Sequence, residues 1–381
     1  MSNDRNPDPM SASNAAALSW PDFLAALEEA GADLQRRLPR LAKLKGVRDV
    51  LLYTYGTRGK DVALQLRAAG IRCVVYDNSP VARANAAADG FEVTQDLGLD
   101  LPLIVGAGQN QIEILGELDR EAYSLAEALY ALDLRNSYAP ARAFSDNVVA
   151  DAERLFAVYQ QLDAASQSAF LDVLLYRASL DVHRLAHRRP VGEMWLPPVA
   201  GLEIGSFCDI GAYDGDSLAA TKAVFPGLSR SFTIEPMAAM APVIAAVAER
   251  LGIENRNFAG AAWSHSARLS ARQIFNGMLV IEEDAAGDIQ TETLDALVGD
   301  ATYDYVKMDV EGSEAAVLSG GVETLKRARC IAVASYHLPG DLMDLPAALR
   351  LRVGDEAGAT WRLAFAHYSQ VFDDSIFYLH R

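Results

Sequence analysis

The chain has 381 residues, of which 51% are hydrophobic, so it is long enough to fold into two packed domains. Its formal net charge of −17 argues against a nucleic-acid or anionic-membrane partner, because phosphate binding needs a basic surface. Cys73, Cys208 and Cys330 lie far apart in apolar runs without the spacing of a zinc site, which predicts buried thiols in a reducing compartment.

Residues 1–18 are rich in Ser, Asn, Asp and Pro, which predicts a disordered tail. This segment lacks a charged region followed by an apolar run, and no stretch reaches about 18 uninterrupted apolar residues. We therefore expect a cytoplasmic protein with no membrane partner.

A small Rossmann-like domain is predicted for residues 19–120. Ser19 is placed to cap a first helix that has Pro21 in its first turn. The strands predicted after this helix are Val50–Tyr53, Ile71–Tyr76 and Leu101–Gly108.

A glycine loop, G-T-R-G, follows the first of these strands. It has two glycines, Gly56 and Gly59, and Asp77 lies 21 residues after Gly56. A dinucleotide site normally has a third glycine and an acid at about this distance for the ribose. We expect a degenerate nucleotide fold used for docking, oligomerisation or sugar-nucleotide contact instead of a working NAD site.

A helical connector is predicted for residues 121–195, where apolar residues recur at helical spacing. A second α/β domain follows over residues 196–381, and short apolar runs between Ser270 and Thr293 predict a hairpin over its crevice. Its seven predicted strands are Phe207–Ile210, Ser231–Ile234, Asn257–Ala262, Tyr305–Met308, Cys330–Ser335, Trp361–Ala366 and Ser375–Leu379.

The first of these strands runs into the glycine loop G-A-Y-D-G-D. Gly211 and Gly215 allow a tight turn near a ligand, and Asp216 or Ser217 is placed to cap the next helix. Glu235 lies 24 residues after Gly211, where nucleotide-binding folds place an acid on the ribose. The third glycine of a dinucleotide site is missing, so the ligand is expected to be smaller than NAD.

A second acidic segment is YDYVKMDVEGSE. Asp309 and Glu311 follow its strand, and alternation along an extended backbone would place both carboxylates on one side. Their repulsion raises one pKa toward that of a base, or the pair holds a hard cation such as Mg²⁺. Glu314 is expected to offset the dipole of the next helix, and Lys307 to point to the opposite face.

His337 follows the predicted strand Cys330–Ser335 at the same edge of the sheet. A single histidine is usually structural, but this position also allows acid/base chemistry or a substrate contact. The pairs His367–Tyr368 and Asp373–Asp374 are further candidates for the mouth of the crevice.

The second domain carries the motifs DIGAYDGDS, Glu235-Pro236, TETLDAL (Thr291–Leu297), VKMDVEGSEAAVLSGG (Val306–Gly321) and SYHLPGDLMDLP (Ser335–Pro346). Together they resemble FkbM-type methyltransferases, which depend on S-adenosylmethionine. The resemblance covers roughly residues 196–381. The preceding residues resemble, more loosely, the Rossmann-like module of longer members of that family.

The resemblance implies an α/β fold in which the second domain is a class I methyltransferase, with a Rossmann-like seven-stranded sheet that has an antiparallel end. It implies S-adenosylmethionine as the cofactor. From the residues themselves, Asp209 also fits a loop or helix cap, and Trp263 a core position. The cofactor-binding residues that the resemblance implies are Asp209, Gly211 and Asp214 at the methionine part, with Ala212 and Gly215 in the same loop, Glu235 at the ribose, and Ala262 and Trp263 at the adenine.

The implied activity is O-methylation of a small-molecule acceptor, at a hydroxyl of a sugar or secondary metabolite. Such a transfer needs an aligned donor and acceptor and a group that takes the hydroxyl proton. Asp309, Glu311 and His337 are the catalytic candidates, and Asp309 with Glu311 are the candidate ligands of Mg²⁺.

Two other functions stay open from the sequence. A nucleotide-sugar or NAD(P)-dependent enzyme would bind NAD through Gly56, Gly59 and Asp77, whereas a catalytically silent binding protein would not hold S-adenosylmethionine tightly. Because its glycine loop is incomplete, the first domain is expected to be dispensable for cofactor binding. The acceptor, the oligomeric state and the role of the first domain are not determined by the sequence.

Overall fold

The computed structural model describes residues 17–199, 201–273, 279–354 and 361–381. Most of the tail predicted at residues 1–18 therefore lies outside the described residues. The described chain contains two parallel sheets flanked by helices, which confirms the α/β prediction.

The chain begins with helix α1, Trp20–Leu41. The side chain of Ser19 accepts a hydrogen bond from the backbone N–H of Asp22, and Pro21 lies in the first turn, so the predicted helix start is confirmed. Apolar residues at helical spacing, among them Phe23 and Leu27, are buried on one face.

The first sheet is entirely parallel and is covered by helices on its faces. Its strands are β1 (Asp49–Tyr53), β2 (Arg72–Tyr76), β3 (Glu92–Thr94), β4 (Leu103–Val105) and β5 (Ala122–Tyr123), in the order β3-β2-β1-β4-β5. The helices between them are α2 (Thr57–Ala68), α3 (Pro80–Ala88) and α4 (Gln111–Glu117).

The connector contains four helices and, between the first two, a short hairpin that helical spacing did not predict. The turn of the hairpin is Ser137–Tyr138, with Ser137 in the left-handed region at φ 48°. Strands of two residues are too short to leave a pattern in the sequence. The elements are α5 (Leu125–Ala131), β6 (Arg135–Asn136), β7 (Ala139–Pro140), α6 (Ala141–Ser145), α7 (Ala152–Tyr159) and α8 (Ala164–Ser179).

The second sheet has seven strands, of which six run in one direction and one, β18, is antiparallel to both of its neighbours. They are β8 (Ser206–Ile210), β9 (Arg230–Ile234), β10 (Glu254–Phe258), β15 (Tyr305–Met308), β16 (Cys330–Ala334), β17 (Arg362–His367) and β18 (Ser375–His380). The order is β10-β9-β8-β15-β16-β18-β17, so the chain leaves β8 toward β9 and later returns on its other side at β15. Ligands of such sheets bind at the carboxyl ends of the strands around this switch point.

A smaller four-stranded sheet lies beside this edge. Its strands are β11 (Ala261–Trp263), β12 (Arg268–Gln273), β13 (Leu279–Glu283) and β14 (Ile289–Thr293), and the antiparallel pair β12 and β13 is the hairpin predicted between Ser270 and Thr293. The single strand predicted at Asn257–Ala262 is wrong, because β10 and β11 belong to different sheets. Gly260 separates them, and a Cβ there would lie 2.5 Å from the carbonyl oxygen of Gln290.

The helices of the second domain include α9, which begins directly after the glycine loop. The prediction that Asp216 or Ser217 is the N-cap residue is wrong, because α9 already begins at Asp216 and the residue before it is Gly215, at φ 85°. The hydroxyl of Ser217 donates to Asp209 instead. The helices are α9 (Asp216–Val224), α10 (Ala241–Leu251), α11 (Leu294–Val298), α12 (Glu314–Gly320), α13 (Val322–Arg327) and α14 (Asp341–Val353).

The two α/β units share one hydrophobic core, which α8 connects. The ring of Phe170 lies 5.2 Å from that of Phe365 and 5.9 Å from that of Phe377 in the second sheet, and α8 also packs on α1. All three cysteines are buried free thiols, as predicted. Among the described residues, no helix is long and apolar enough to cross a membrane.

Candidate functional site

A cavity of about 410 Å³ lies at the carboxyl ends of the second sheet, where the topology predicts a ligand site. Its volume is typical of small-molecule sites. The lining residues are Thr57, Arg58, Ser137, Ile210, Gly211, Tyr213, Ile234, Glu235, Pro236, Met237, Ala261, Ala262, Trp263, Ile281, Asp309, Val310, Glu311, Ser313, Tyr336 and His337.

Gly211 is the residue on which the close approach of two loops depends. Its φ is 80°, and a Cβ at this position would lie 1.8 Å from the backbone oxygen of Asp309. The backbone N–H of Asp309 in turn donates to the carbonyl of Ile210, at 2.9 Å. The absence of a side chain at Gly211 therefore places the loop after β15 against the loop after β8.

A buried ion pair supports the glycine loop from behind. The Nζ of Lys307 lies 3.1 Å from Oδ1 of Asp209 and donates to the carbonyl of Gly211, at 2.5 Å. Burial opposes the charge on Lys307, but Asp209 outweighs it and raises the pKa of the lysine. Neither residue lines the cavity, so Asp209 acts in the structure as a support for the loop and not as part of the wall.

Three further residues implied by the resemblance also lie outside the cavity wall. Ala212 is buried, the carboxylate of Asp214 accepts from the backbone N–H of Asp216, and Gly215 begins α9. They shape the turn, whereas Gly211 lines the cavity itself.

Glu235 lies at the carboxyl end of β9 and faces the cavity with 6% of its surface exposed. Its carboxylate accepts backbone N–H groups of Tyr213, at 2.9 Å, and Met237, at 2.8 Å. Burial raises its pKa, and these two hydrogen bonds oppose that effect. Because a carboxylate offers about four acceptor positions, two remain for hydroxyl groups of a ligand.

The end of the cavity next to Glu235 is mostly apolar. Ala262 and Trp263 line it, and the indole N–H of Trp263 donates to Glu283 at 3.1 Å. Ile281 of the β12–β13 hairpin lines the same cavity, so the hairpin contributes to its wall. Flat apolar walls of this kind suit an aromatic ring.

The other end of the cavity is polar and contains all three predicted catalytic residues. The Nε2 of His337 lies 3.4 Å from Oδ1 of Asp309 and 3.6 Å from Oε2 of Glu311. Tyr336, which sequence reasoning missed although it precedes His337, donates from its hydroxyl to Oδ1 of Asp309 at 3.3 Å. The two carboxylates do converge, but through a turn with Glu311 at φ 57° instead of an extended backbone.

Glu314 is the main partner of His337. Its Oε1 lies 2.9 Å from Nδ1 of the ring and also accepts the backbone N–H of Val310, at 3.0 Å. Glu314 begins α12, as predicted, but it is 1% exposed and belongs to the buried cluster rather than only offsetting the helix dipole.

In this cluster the pKa of His337 and the pKa of Asp309 are both raised, for different reasons. Burial lowers the pKa of His337, but Glu314, Asp309 and Glu311 outweigh that effect and raise it to about 10. Burial raises the pKa of Asp309 to about 6, against the effect of Lys307 and His337. His337 is thus an imidazolium at neutral pH, and Asp309 is a stronger base than an ordinary aspartate.

Asp309, Glu314 and His337 have ligand atoms within 4.8 Å of one another, so they form the group that comes nearest to a metal-ligating set in the described part of the chain. The set differs from the predicted pair of Asp309 and Glu311. Mg²⁺ prefers oxygen ligands, so the imidazole nitrogen of His337 does not suit it, and Oε1 of Glu314 is already engaged by His337 and a backbone N–H. These donors fit a hydrogen-bonded ion cluster better than a Mg²⁺ site.

Three residues from outside the second domain complete the wall. Thr57 and Arg58 begin α2 after the G-T-R-G loop, and Ser137 is in the turn of the β6–β7 hairpin. Sequence reasoning identified the loop as nucleotide-like, but nothing in its residues indicates that it faces the other domain.

Solved structures of other proteins were compared with the fold. A crystal structure of an FkbM methyltransferase from Methylobacillus flagellatus has a similar fold, with a TM-score of 0.69 at 18% identity, over 96% of this chain and 100% of that chain. A precorrin-6y C5,15-methyltransferase of Geobacter metallireducens has a TM-score of 0.31 at 11% identity, over 49% and 86% of the two chains. The O-methyltransferase TomG of Streptomyces achromogenes has a TM-score of 0.31 at 14% identity, over 67% and 98%.

Residues 209–354 match the family model of the methyltransferase FkbM domain. These residues are therefore an FkbM-type methyltransferase domain, which confirms the resemblance carried by the motifs. Among curated proteins, no sequence matches significantly.

Proposed function

We propose that this protein is an S-adenosylmethionine-dependent O-methyltransferase that acts on a hydroxyl of a sugar or secondary metabolite. The observation that carries the proposal is one cavity with two different ends. Its wall combines Glu235 and apolar residues with the cluster around Asp309, and Glu235 and this cluster follow strands on opposite sides of the central strand β8. The first end suits a nucleoside and the second a proton transfer.

The residues of the first end fit the nucleoside part of the cofactor. Glu235 would accept the ribose hydroxyls with the lone pairs that Tyr213 and Met237 leave open, and the adenine would lie against Ala262 and Trp263. When bound, S-adenosylmethionine supplies an electrophilic methyl group on a sulfonium. Gly211, which follows the central strand β8 and lines the cavity, would contact the bound cofactor.

Asp309 is the residue we assign as the base. A carboxylate with a pKa of about 6 is mostly ionised at neutral pH and is a stronger proton acceptor than an ordinary aspartate. Its Oδ1 is held by Tyr336 and His337, so we expect the other oxygen to face the acceptor hydroxyl.

His337 is assigned a different role from the base considered on sequence grounds. Because its ring is already protonated at neutral pH, it cannot accept the proton of the acceptor. It holds Asp309, Glu311 and Glu314 in place and reduces their repulsion.

A ligand-shift thermal melt tests the proposal against its alternatives. A ligand that binds the folded form raises the apparent melting temperature, so S-adenosylhomocysteine should raise it and NAD should not. A shift with NAD would support the two-Rossmann enzyme, and no shift with either ligand would support a silent binding protein.

A further inference from the structure

The N-terminal α/β unit reaches the cavity through the carboxyl end of its own sheet. The loop after β1 leads into Thr57 and Arg58, and both line the same cavity as Asp309. The carboxyl edges of the two sheets therefore open onto one space.

Arg58 is held in this position by a buried network. It forms an ion pair with Asp373, which is fully buried in the second domain. The other oxygen of Asp373 accepts from the amide of Asn136 and the hydroxyl of Ser137, both at 3.0 Å. Arg58 thus has a fixed direction, while 31% of its side chain remains exposed.

Arg58 lies at the polar end of the cavity. The groups that interact with it electrostatically include Asp373, Asp374 and Tyr336, and the hydroxyl of Tyr336 donates to Asp309. The apolar end, with Ala262 and Trp263, belongs to the second domain and its small sheet. The residues of the N-terminal unit on the cavity wall, Thr57 and Arg58, would therefore lie next to the acceptor and not next to the nucleoside.

We propose that the N-terminal unit builds one wall of the acceptor site, and that Arg58, with Thr57 beside it, contacts the acceptor directly. This inference rests on the proposed methyltransferase function. It gives the first domain a role in acceptor recognition, and the five N–H groups of the guanidinium suit ring and hydroxyl oxygens.

The charges around the cavity indicate a neutral acceptor. Arg58 is already neutralised by Asp373, and His337 by Glu314. A carboxylate or phosphate on the acceptor would meet uncompensated negative charge, which costs binding energy in a partly buried site. The wall carries three further acids, Asp309, Glu311 and Glu235, and the single charge of His337 is shared between Asp309, Glu311 and Glu314.

The test is saturation-transfer-difference NMR with S-adenosylhomocysteine at saturation, on the full chain. The probes are neutral methyl glycosides of glucose, galactose, mannose, rhamnose and fucose, with glucuronate and glucose 1-phosphate as anionic counterparts. The variants are Arg58→Lys, which keeps a cation for Asp373, and Thr57→Ala, which touches no ion pair. Arg154→Ala removes a surface arginine paired with Asp344 and is the matched control.

We expect at least one neutral glycoside to bind, and its affinity to fall about tenfold or more in Arg58→Lys and less in Thr57→Ala, as lost hydrogen bonds to a charged group would produce. Arg154→Ala should bind like the original chain. The inference is overturned if the anionic sugars bind in preference, if no neutral glycoside binds, or if Arg58→Lys binds unchanged. Calorimetric titration with S-adenosylhomocysteine distinguishes failure of this inference from failure of the proposed function. If the cavity binds the cofactor, S-adenosylhomocysteine should bind both Arg58→Lys and Thr57→Ala, whatever the glycosides do.

Discussion

His337→Gln removes the positive charge that three carboxylates surround, and its cost follows from the pKa of the ring. The pKa is about 10 in the folded protein against an ordinary value of 6.5, a difference of about 3.5 pH units. At 1.36 kcal/mol per unit this corresponds to roughly 5 kcal/mol, and removing one partner of a buried pair typically costs about 3–5 kcal/mol. We expect a loss in the range of about 3–5 kcal/mol below pH 6.5.

The sign of the pH dependence is fixed by the raised pKa of His337. Its contribution is fully present below the unfolded pKa of 6.5 and is lost as the pH rises through about 10. Part of the unfolding free energy of the original chain should therefore decrease as the pH rises from 6.5 to about 10. His337→Gln should lack that component, so the difference between the two proteins should shrink as the pH rises.

Urea unfolding followed by circular dichroism at about pH 6.5, 8 and 9.5 measures this difference. His183→Gln, an exposed histidine, is the control and should keep the pH dependence of the original chain. Adding Glu314→Gln to His337→Gln should recover part of the loss, because it removes the buried charge left unpaired. An unfolding free energy of His337→Gln that equals the original at pH 6.5, or an unchanged pH slope, would refute the ion cluster.

Three further outcomes follow from the site. Asp309→Asn should lower turnover about 100-fold or more while the affinity for S-adenosylhomocysteine changes little, and the activity of the original chain should fall on acidification through about pH 6, where Asp309 is protonated. A variant that keeps the turnover would rule out Asp309 as base. Gly211→Ala should yield little folded protein by circular dichroism, because its Cβ would lie 1.8 Å from a backbone oxygen, whereas Gly227→Ala, at an open position, should fold normally. EDTA should leave turnover unchanged, and a loss restored by Mg²⁺ would show that the acidic cluster does bind a cation.

The sequence predicts those parts of the fold that depend on local patterns. The strands Phe207–Ile210 and Tyr305–Met308 end within a residue of β8 and β15, because apolar runs before glycine and acidic residues mark the carboxyl ends of parallel strands. The break between β10 and β11 was missed because it depends on Gly260 packing on distant backbone. The β6–β7 hairpin is likewise held by Asp373, more than 230 residues away.

The same distinction applies to the site. Gly211, Glu235, Asp309, Glu311 and His337 were predicted from their place after strands, and all of them line the cavity. The charge state of His337 was not predictable, because it depends on partners that converge only in the folded chain. The same holds for Arg58, since its position on the cavity depends on how the two units pack.

The central claim is that this cavity binds S-adenosylmethionine through Glu235. Calorimetric titration of S-adenosylhomocysteine into the original chain, Glu235→Gln and the exposed control Glu249→Ala tests it most directly. Glutamine can still accept a backbone N–H but loses the charge, so the affinity should fall by roughly 1.5–3 kcal/mol in Glu235→Gln and remain unchanged in Glu249→Ala. No measurable binding to the original chain, or equal affinity in a folded Glu235→Gln protein, would contradict the claim.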